Sequence, residues 1–395
     1  PTPHQLPTEH ETSLFRAAAS STMMMAIHRP VWVVITAVLL AGISCHAFSS
    51  DGGIPSTFPL ARRVLLEKAE EMGTLSKSSG GTYGTVGWSN RLGSLLPPAA
   101  IPGVYEAGRP FFWNGIDVGC RMVVIELGTS SPGADGKPDL FVHSPVSLDD
   151  RLADAIDAIG TVKHVVSPNY EHVKFAYLWA ERYPDANIWG CPGLMEREPN
   201  VRWTGEIPYG TRPPVWEGSS MTKPEAMWDW DEICPLHVDV EANPFTQMPF
   251  FNEVVFFHPK SKTLLTTDTF WNYPRKDGIP NADYASIPGA DQDLGAWELA
   301  PDVGDIPLGS RIWGKLGMDK LFRPFYLGLM IKSDCKDQFR RIASYISGVD
   351  ENGWDVETVI PAHGDIIRGK TFCREILKSH FKKFKFILFP LVLIF

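Results

Sequence analysis

The chain of 395 residues is 44% hydrophobic and 21% charged, a composition that suits one large or two smaller globular domains with a sizeable core. Its formal net charge of -9 argues against a broad phosphate-binding surface, so no nucleic-acid partner is expected. Six cysteines, at positions 45, 120, 191, 234, 335 and 373, form no C-x-x-C pair. That spacing removes a zinc ribbon and a dithiol redox motif, and leaves reduced, mostly buried thiols as the expectation.

Residues 1–22 do not begin with Met and carry no apolar period, so they are expected to be untranslated or disordered. Met23, Met24 and Met25 precede His28, Arg29 and an apolar run over 31–43 that closes on Cys45, His46 and Ala47. This is a secretory signal pattern over 23–47, too short to span comfortably as a mature membrane helix; a buried helix or membrane anchor is the alternative. The Ala47-Phe48 junction, followed by Ser49, Ser50, Ser56, Thr57, Arg62 and Arg63, resembles the bipartite plastid-targeting leader of algae with complex plastids. The resemblance implies a chloroplast destination reached through the signal peptide, with secretion or the endomembrane system as the alternative. Asp51, Glu67, Glu70 and Glu71 are more acidic than such leaders usually are. Residues 48–87 then read as a transit-like segment and a Gly, Ser and Thr rich linker, and 88–380 as the folded domain.

Within that domain residues 122–127 (MVVIEL) predict a strand, with 139–143 as its hairpin partner. Leu148, Leu152, Ile156 and Ile159 predict an amphipathic helix after a Ser147 cap. A strand over 162–166 runs into Ser167-Pro168-Asn169, and a helix pattern opens with Glu171 and His172 and stops before Pro184. A short strand lies at 187–189, and residues 202–249 are rich in Pro and Trp without period. Trp203, Trp216, Trp228 and Trp230 there either cover a pocket or pack in the core, and packing is the favoured reading. Strands at 253–257 and 263–267 form a hairpin ending on Asp268, residues 271–310 make a long excursion, and Cys335, Phe339, Ile342 and Ile346 mark a last helix. Residues 358–360 are a strand running into Pro361-Ala362-His363-Gly364-Asp365. The tail, 381–395, holds Lys382, Lys383 and Lys385 and an apolar end; it is a gene-model artefact, a truncated anchor or a membrane-surface segment.

Three strand exits thus present ionisable residues: Glu171 with His172, Asp268, and His363. Each alone is weak, since His143, His164, His237 and His258 show how often histidines occur in other settings. The repeated placement at the carboxyl ends of strands, where open α/β sheets keep their chemistry, is what singles them out.

The phrases F-V-H-S-P, H-V-V-S-P-N, E-V-V-F-F-H, L-L-T-T-D and V-I-P-A-H-G-D, in this order over roughly residues 105–378, resemble the metallo-β-lactamase-like superfamily, and within it the family of domain of unknown function 4336. The resemblance implies a four-layer αβ/βα sandwich of two mixed β-sheets with a metal site at one edge. The superfamily's H-x-H-x-D-H falls on Ser167, Asn169, Glu171 and His172, and the histidine expected ahead of the 253–267 hairpin is replaced near Pro249. One metal position has therefore lost its three imidazoles, while the other keeps His172, the bridging-type Asp268 and His363, with Glu171 in place of an aspartate.

This implies a single divalent metal, zinc before iron or manganese, held by His172, Asp268, His363 and Glu171, with Asn169 and Asp365 supporting them from behind. If the fold brings the carboxylates of Glu171 and Asp268 to about 4 Å, their repulsion is on the order of 4 kcal/mol at an effective dielectric of 20, which calls for a cation or a shared proton. The expected activity is metal-dependent hydrolysis of an ester, thioester, lactone or phosphoester, with Glu171 and Asp268 as the catalytic carboxylates. The alternative is a metal-free, noncatalytic binding or scaffold protein. The small-molecule substrate and the oligomeric state are left open.

Overall fold

In the computed structural model, residues 101–109, 111–113, 116–128, 136–216, 222–273 and 308–382 are described. The leader and linker expectations for residues 1–87, the domain start at 88–100 and the tail beyond 382 lie outside the described residues, as does most of the 271–310 excursion. Among the described residues no helix is long and apolar enough to cross a membrane.

The chain enters on β1 (Val104–Arg109), passes a small hairpin of β2 (Phe112–Trp113) and β3 (Ile116–Asp117), and continues into β4 (Cys120–Leu127), β5 (Asp139–His143), β6 (Thr161–Ser167), β7 (Asn187–Gly190) and β8 (Gly205–Glu206). The first sheet has the order β1-β4-β5-β6-β7-β8, antiparallel on the β1 side and parallel from β5 to β8. The second sheet is built from β9 (Cys234–His237), β10 (Val254–His258), β11 (Thr263–Thr266), β12 (Thr358–Pro361) and β13 (Ile367–Arg368), in the order β13-β12-β11-β10-β9. Only β11 and β12 are parallel within it. Both sheets are therefore mixed, as the resemblance implied.

Alternation along the strands fixes the layers. Val123 and Ile125 of β4, Phe141 of β5 and Val166 of β6 form one buried cluster with Val254 and Phe256 of β10, Leu265 of β11 and Ile360 of β12. The two sheets therefore face each other across a common core. Trp228 fills its centre, at ring-centroid distances of 4.8 Å from Phe141 and 6.0 Å from Phe256. Such aromatic pairs add about 0.5–1.5 kcal/mol each beyond the area they bury. Trp203 and Trp230 pack against the same cluster, and Trp216 packs edge-on against Tyr345 at 5.4 Å. The tryptophans are thus packing residues.

The opposite face of the first sheet, with Met122, Val124, Leu140, Val142 and Val165, is covered by α1 (Asp150–Ile159) through Leu152 and Ile156 and by α2 (Ala176–Arg182) through Trp179. A short α3 (Leu194–Arg197) follows β7. After β11, a helical run α4 over residues 308–330 alternates α and π turns, followed by α5 (Lys336–Ile346) and, after β13, α6 (Lys370–Phe381). On the outer side of the second sheet Phe257 stacks on Trp354 at 5.2 Å, and Trp354 packs on Tyr345 of α5. Helices and sheets therefore stack as αβ/βα.

Two local expectations are corrected. The cap of α1 is Asp149, whose Oδ1 accepts from the Leu152 backbone N–H at 2.8 Å, and not Ser147. The helix after β6 begins at Ala176, so Glu171 and His172 stand in the turn before it. The reason is Asn169: its Oδ1 accepts from the backbone N–H groups of Glu171 (3.0 Å) and His172 (2.8 Å), and that Asx turn competes with helix initiation.

The exit of β6 is anchored from the second sheet. Val254 N donates to Pro168 O (2.8 Å) and Tyr170 N to Phe251 O (3.0 Å), while the buried Glu241 carboxylate accepts from the N–H groups of Phe250, Phe251 and Asn252. Burial pushes the Glu241 pKa up from the ordinary 4.5 to about 7, against the pull of those N–H groups. A carboxyl with a raised folded-state pKa stabilises most below its unfolded pKa and loses that contribution as pH rises through the folded value. Wild-type stability relative to Glu241→Gln is therefore expected to fall by up to about 3 kcal/mol between pH 4.5 and 7. Denaturant unfolding of both proteins across that range checks this; parallel pH profiles would contradict it.

Candidate metal centre

At one edge of the two sheets the chain leaves β5 at Ser144, β6 at Pro168, β11 at Thr267 and β12 at Ala362, and enters antiparallel β4 from Gly119. These exits bring together residues separated by as many as 244 positions. His172 Nε2 and His363 Nε2 lie 3.1 Å apart; Asp268 Oδ2 is 3.3 Å from His172 Nε2, and Asp268 Oδ1 is 3.5 Å from His363 Nε2. His172, Asp268 and His363 are all buried, and one ligand atom from each lies within 4.8 Å of the others.

Each side chain is held from behind. His363 Nδ1 donates to the Gly119 carbonyl at 2.7 Å, which leaves its Nε2 as a lone pair facing the cluster. His172 Nδ1 lies 2.8 Å from Ser144 Oγ and 3.6 Å from Cys120 Sγ. Asn169 Nδ2 donates to Asp268 Oδ2 (2.7 Å) and to Thr267 Oγ1 (2.9 Å), so one side chain fixes both the β6 exit and the aspartate. The loop around Asp268 is clamped by the buried Glu253 carboxylate, which accepts from Thr267 N (2.7 Å) and Thr269 N (2.6 Å). Arg121, buried in β4, donates from Nη1 to Pro361 O (2.6 Å) and Gly364 O (2.7 Å), bracketing His363, and from Nε to Glu106 Oε2 at 3.1 Å.

The electrostatics follow from this crowding. Burial alone would raise Asp268, but His172 and His363 outweigh it and hold its pKa well below the usual carboxylate range. Burial likewise opposes charge on His172, and the Cys120 sulfur and Asp268 reverse the sign, so its pKa is raised. Both directions are those of an imidazole and a carboxylate that stabilise each other's charged forms.

Glu171 does not join the three. It is exposed at the rim, where protein crowding on one side and then the charge of Asp268 push its pKa up. Asn169 is in direct hydrogen-bond contact with Asp268. Asp365 makes no such contact with the histidines: Gly119 takes the Nδ1 of His363, and Asp365 Oδ2 is buried without a hydrogen-bond partner. Three of the other histidines have separate surroundings. His164 accepts from Trp189 Nε1 (3.1 Å), His237 accepts from Gly210 N (2.9 Å) and pairs with Asn252, and His258 pairs with Ser261.

Ser144, Gly119, Arg121 and Glu253 escaped the sequence reading. Ser144 stands inside the quoted F-V-H-S-P phrase, so a polar residue followed by Pro at a strand end was a usable signal. Gly119 acts through its carbonyl, which no residue type announces.

Residues 113–281 match the family described as Domain of unknown function (DUF4336). This DUF4336 segment carries Ser144, Asn169, His172 and Asp268, while His363 is contributed from beyond it. No curated protein matches the chain. Among solved structures it is similar to VMB-1 (11% identity, 73% of this chain and 97% of that one, TM-score 0.38). It is also similar to a metallo β-lactamase from Hirschia baltica (10% identity, 73% and 96%, TM-score 0.38) and to rubredoxin oxygen:oxidoreductase from the anaerobe Desulfovibrio gigas (12% identity, 73% and 61%, TM-score 0.40). The two facing mixed sheets with helices on their outer sides form the αβ/βα sandwich that the sequence resemblance implied.

Gly364 connects fold and site. Its φ is +89°, and a Cβ there would meet the Asn272 carbonyl carbon and oxygen at 2.3 Å. That contact is the backbone seam, Asn272 N to His363 O at 3.0 Å and Asp365 N to Asn272 O at 2.9 Å, that presents His363. Gly364→Ala is expected to destabilise the protein by at least about 2 kcal/mol, the cost of a strained left-handed residue plus a backbone clash. Thermal unfolding reads this directly; a midpoint equal to wild type would show the seam to be pliable.

Proposed function

We propose that this DUF4336 protein is a single-metal hydrolase acting on an ester, thioester, lactone or phosphoester, with His172, Asp268 and His363 as the metal ligands. One observation carries the reading. Ligand atoms at 2.0–2.1 Å from a tetrahedral zinc lie about 3.3 Å from one another, and the three donor separations are 3.1, 3.3 and 3.5 Å. Two imidazoles and one carboxylate with a position left open suit zinc first, and iron or manganese less specifically. A cation held there supplies Lewis acidity toward a carbonyl or phosphoryl oxygen and lowers the pKa of water toward 7.

The chain's own residues supply the rest. Asp268, kept ionised by the two imidazoles, orients an attacking water by accepting its proton in a hydrogen bond. Glu171, at the solvent-facing rim with a raised pKa, carries the proton away from the site or returns it to the leaving group. Asn169 and Glu253 prevent the Asp268 loop from relaxing as charge shifts.

A second reading has its own observation: His172 and Asp268 form an ion pair at 3.3 Å that closes the cluster without metal. Elemental analysis of protein purified without chelator separates the two. About one metal per chain is expected, with His172→Ala and His363→Ala each abolishing most of it, and removal of metal present at about 1,000 times its Kd lowering stability by about 4 kcal/mol. Less than about 0.2 metal per wild-type chain would favour the noncatalytic scaffold.

A further inference from the structure

The two histidines of the cluster are oriented differently. His363 gives its Nδ1 proton to a backbone carbonyl, an acceptor that cannot be anything else. His172 meets instead the hydroxyl of Ser144, fully buried and 2.8 Å from Nδ1. Ser144 also has φ +56°, a left-handed conformation that a serine seldom adopts, and its N–H is tied to Val166 O at 3.0 Å across the β5–β6 pair. An uncommon backbone state held by the surrounding sheet is where a fold stores a functional constraint. Here the constraint has a visible result: the turn out of β5 carries Oγ toward the imidazole.

We propose that Ser144 is the positioning residue for His172: its hydroxyl accepts the Nδ1 proton and leaves Nε2 as the lone pair facing Asp268 and His363. The inference rests on the metal-site reading above and deepens it. Cys120 Sγ, 3.9 Å from the hydroxyl, is a contact in which either atom can donate, so it leaves Oγ able to accept from Nδ1 while its own proton turns to the sulfur. Cys120 also approaches Nδ1, at 3.6 Å, but sulfur is a weak acceptor and the oxygen is the closer group. Fixing the outer nitrogen of a metal-ligating histidine sets its tautomer and its ring angle, and loss of such a partner costs 10- to 100-fold in metal affinity.

Two variants separate the hydroxyl from the backbone. Ser144→Ala removes the hydroxyl and keeps a Cβ at positive φ; Ser144→Gly removes the hydroxyl and suits that φ better. Zinc affinity of the full chain is measured by competition with a chromophoric chelator, alongside thermal unfolding of the metal-free protein. Both variants are expected to bind zinc about 10- to 100-fold more weakly than wild type, while the metal-free unfolding midpoint of Ser144→Gly equals or exceeds that of wild type. Cys120→Ala is expected to lose less affinity than either. The proposal is overturned if Ser144→Gly binds zinc as wild type does, if its affinity and stability fall together, or if Cys120→Ala carries the larger loss. Should wild type take up no zinc, the metal reading fails, and crystal structures of metal-free wild type and Ser144→Ala then decide the positioning role. A His172 ring displaced in the variant supports the role; an unmoved ring refutes it.

Discussion

Three inward-facing donors at 3.1–3.5 Å are the constraint around which this edge of the protein is arranged. Two imidazole nitrogens and a carboxylate, all buried, cannot stand this close without positive charge between or upon them, because lone pairs repel and solvent is excluded. The fold answers with supports drawn from both sheets. Ser144 and Asn169 come from the first sheet, Glu253 clamps the Asp268 loop from the second, and Arg121 reaches from β4 to the carbonyls on either side of His363. Every one of these supports is itself buried, so the geometry is held by groups that would be left unsatisfied if the site opened.

The inter-sheet core explains why the supports can be so exact in placement. Phe141, Trp228 and Phe256 interlock across the two sheets, which sets the separation between strand exits that carry His172 on one side and Asp268 and His363 on the other. A site split between two sheets inherits its precision from the packing between them. The Glu241 carboxylate extends the same principle to the loop before β10, where three backbone N–H groups converge on one buried acid.

Much of this was legible from residues alone, and the limits have physical causes. Short apolar runs at 122–127, 253–257 and 263–267 marked strands, and the Thr-Thr-Asp and Pro-Ala-His-Gly-Asp endings marked the second-sheet exits. The bound on Glu171 was harder: its place beside His172 in sequence suggested a shared site, yet the Asx turn made by Asn169 turns the two side chains into different surroundings, one buried and one at the rim. Strands such as β8 and β13, of two residues each, have no period to detect, and the 308–330 helix mixes α and π turns that blur a 3.6-residue repeat. The roles of Gly119, Glu253 and Arg121 depend on partners as many as 244 positions away, and no local pattern encodes those.

Asn169 gives the last step. The superfamily resemblance places a metal-ligating histidine at its position, where an imidazole would direct a lone pair toward a cation near Asp268. The asparagine reverses that polarity: its amide N–H donates to Asp268 Oδ2 at 2.7 Å, and its carbonyl accepts from the two backbone N–H groups that follow. A hydrogen-bond donor thus stands where a cation's ligand would be, and it satisfies an aspartate oxygen that would otherwise face a neighbour of missing charge. On the reading proposed above this favours one cation over two, because an amide N–H at this position donates to Asp268 and supplies no lone pair to a second cation. On the single-metal reading proposed above, the cluster of His172, Asp268 and His363 is the site, and Asn169 is part of its frame.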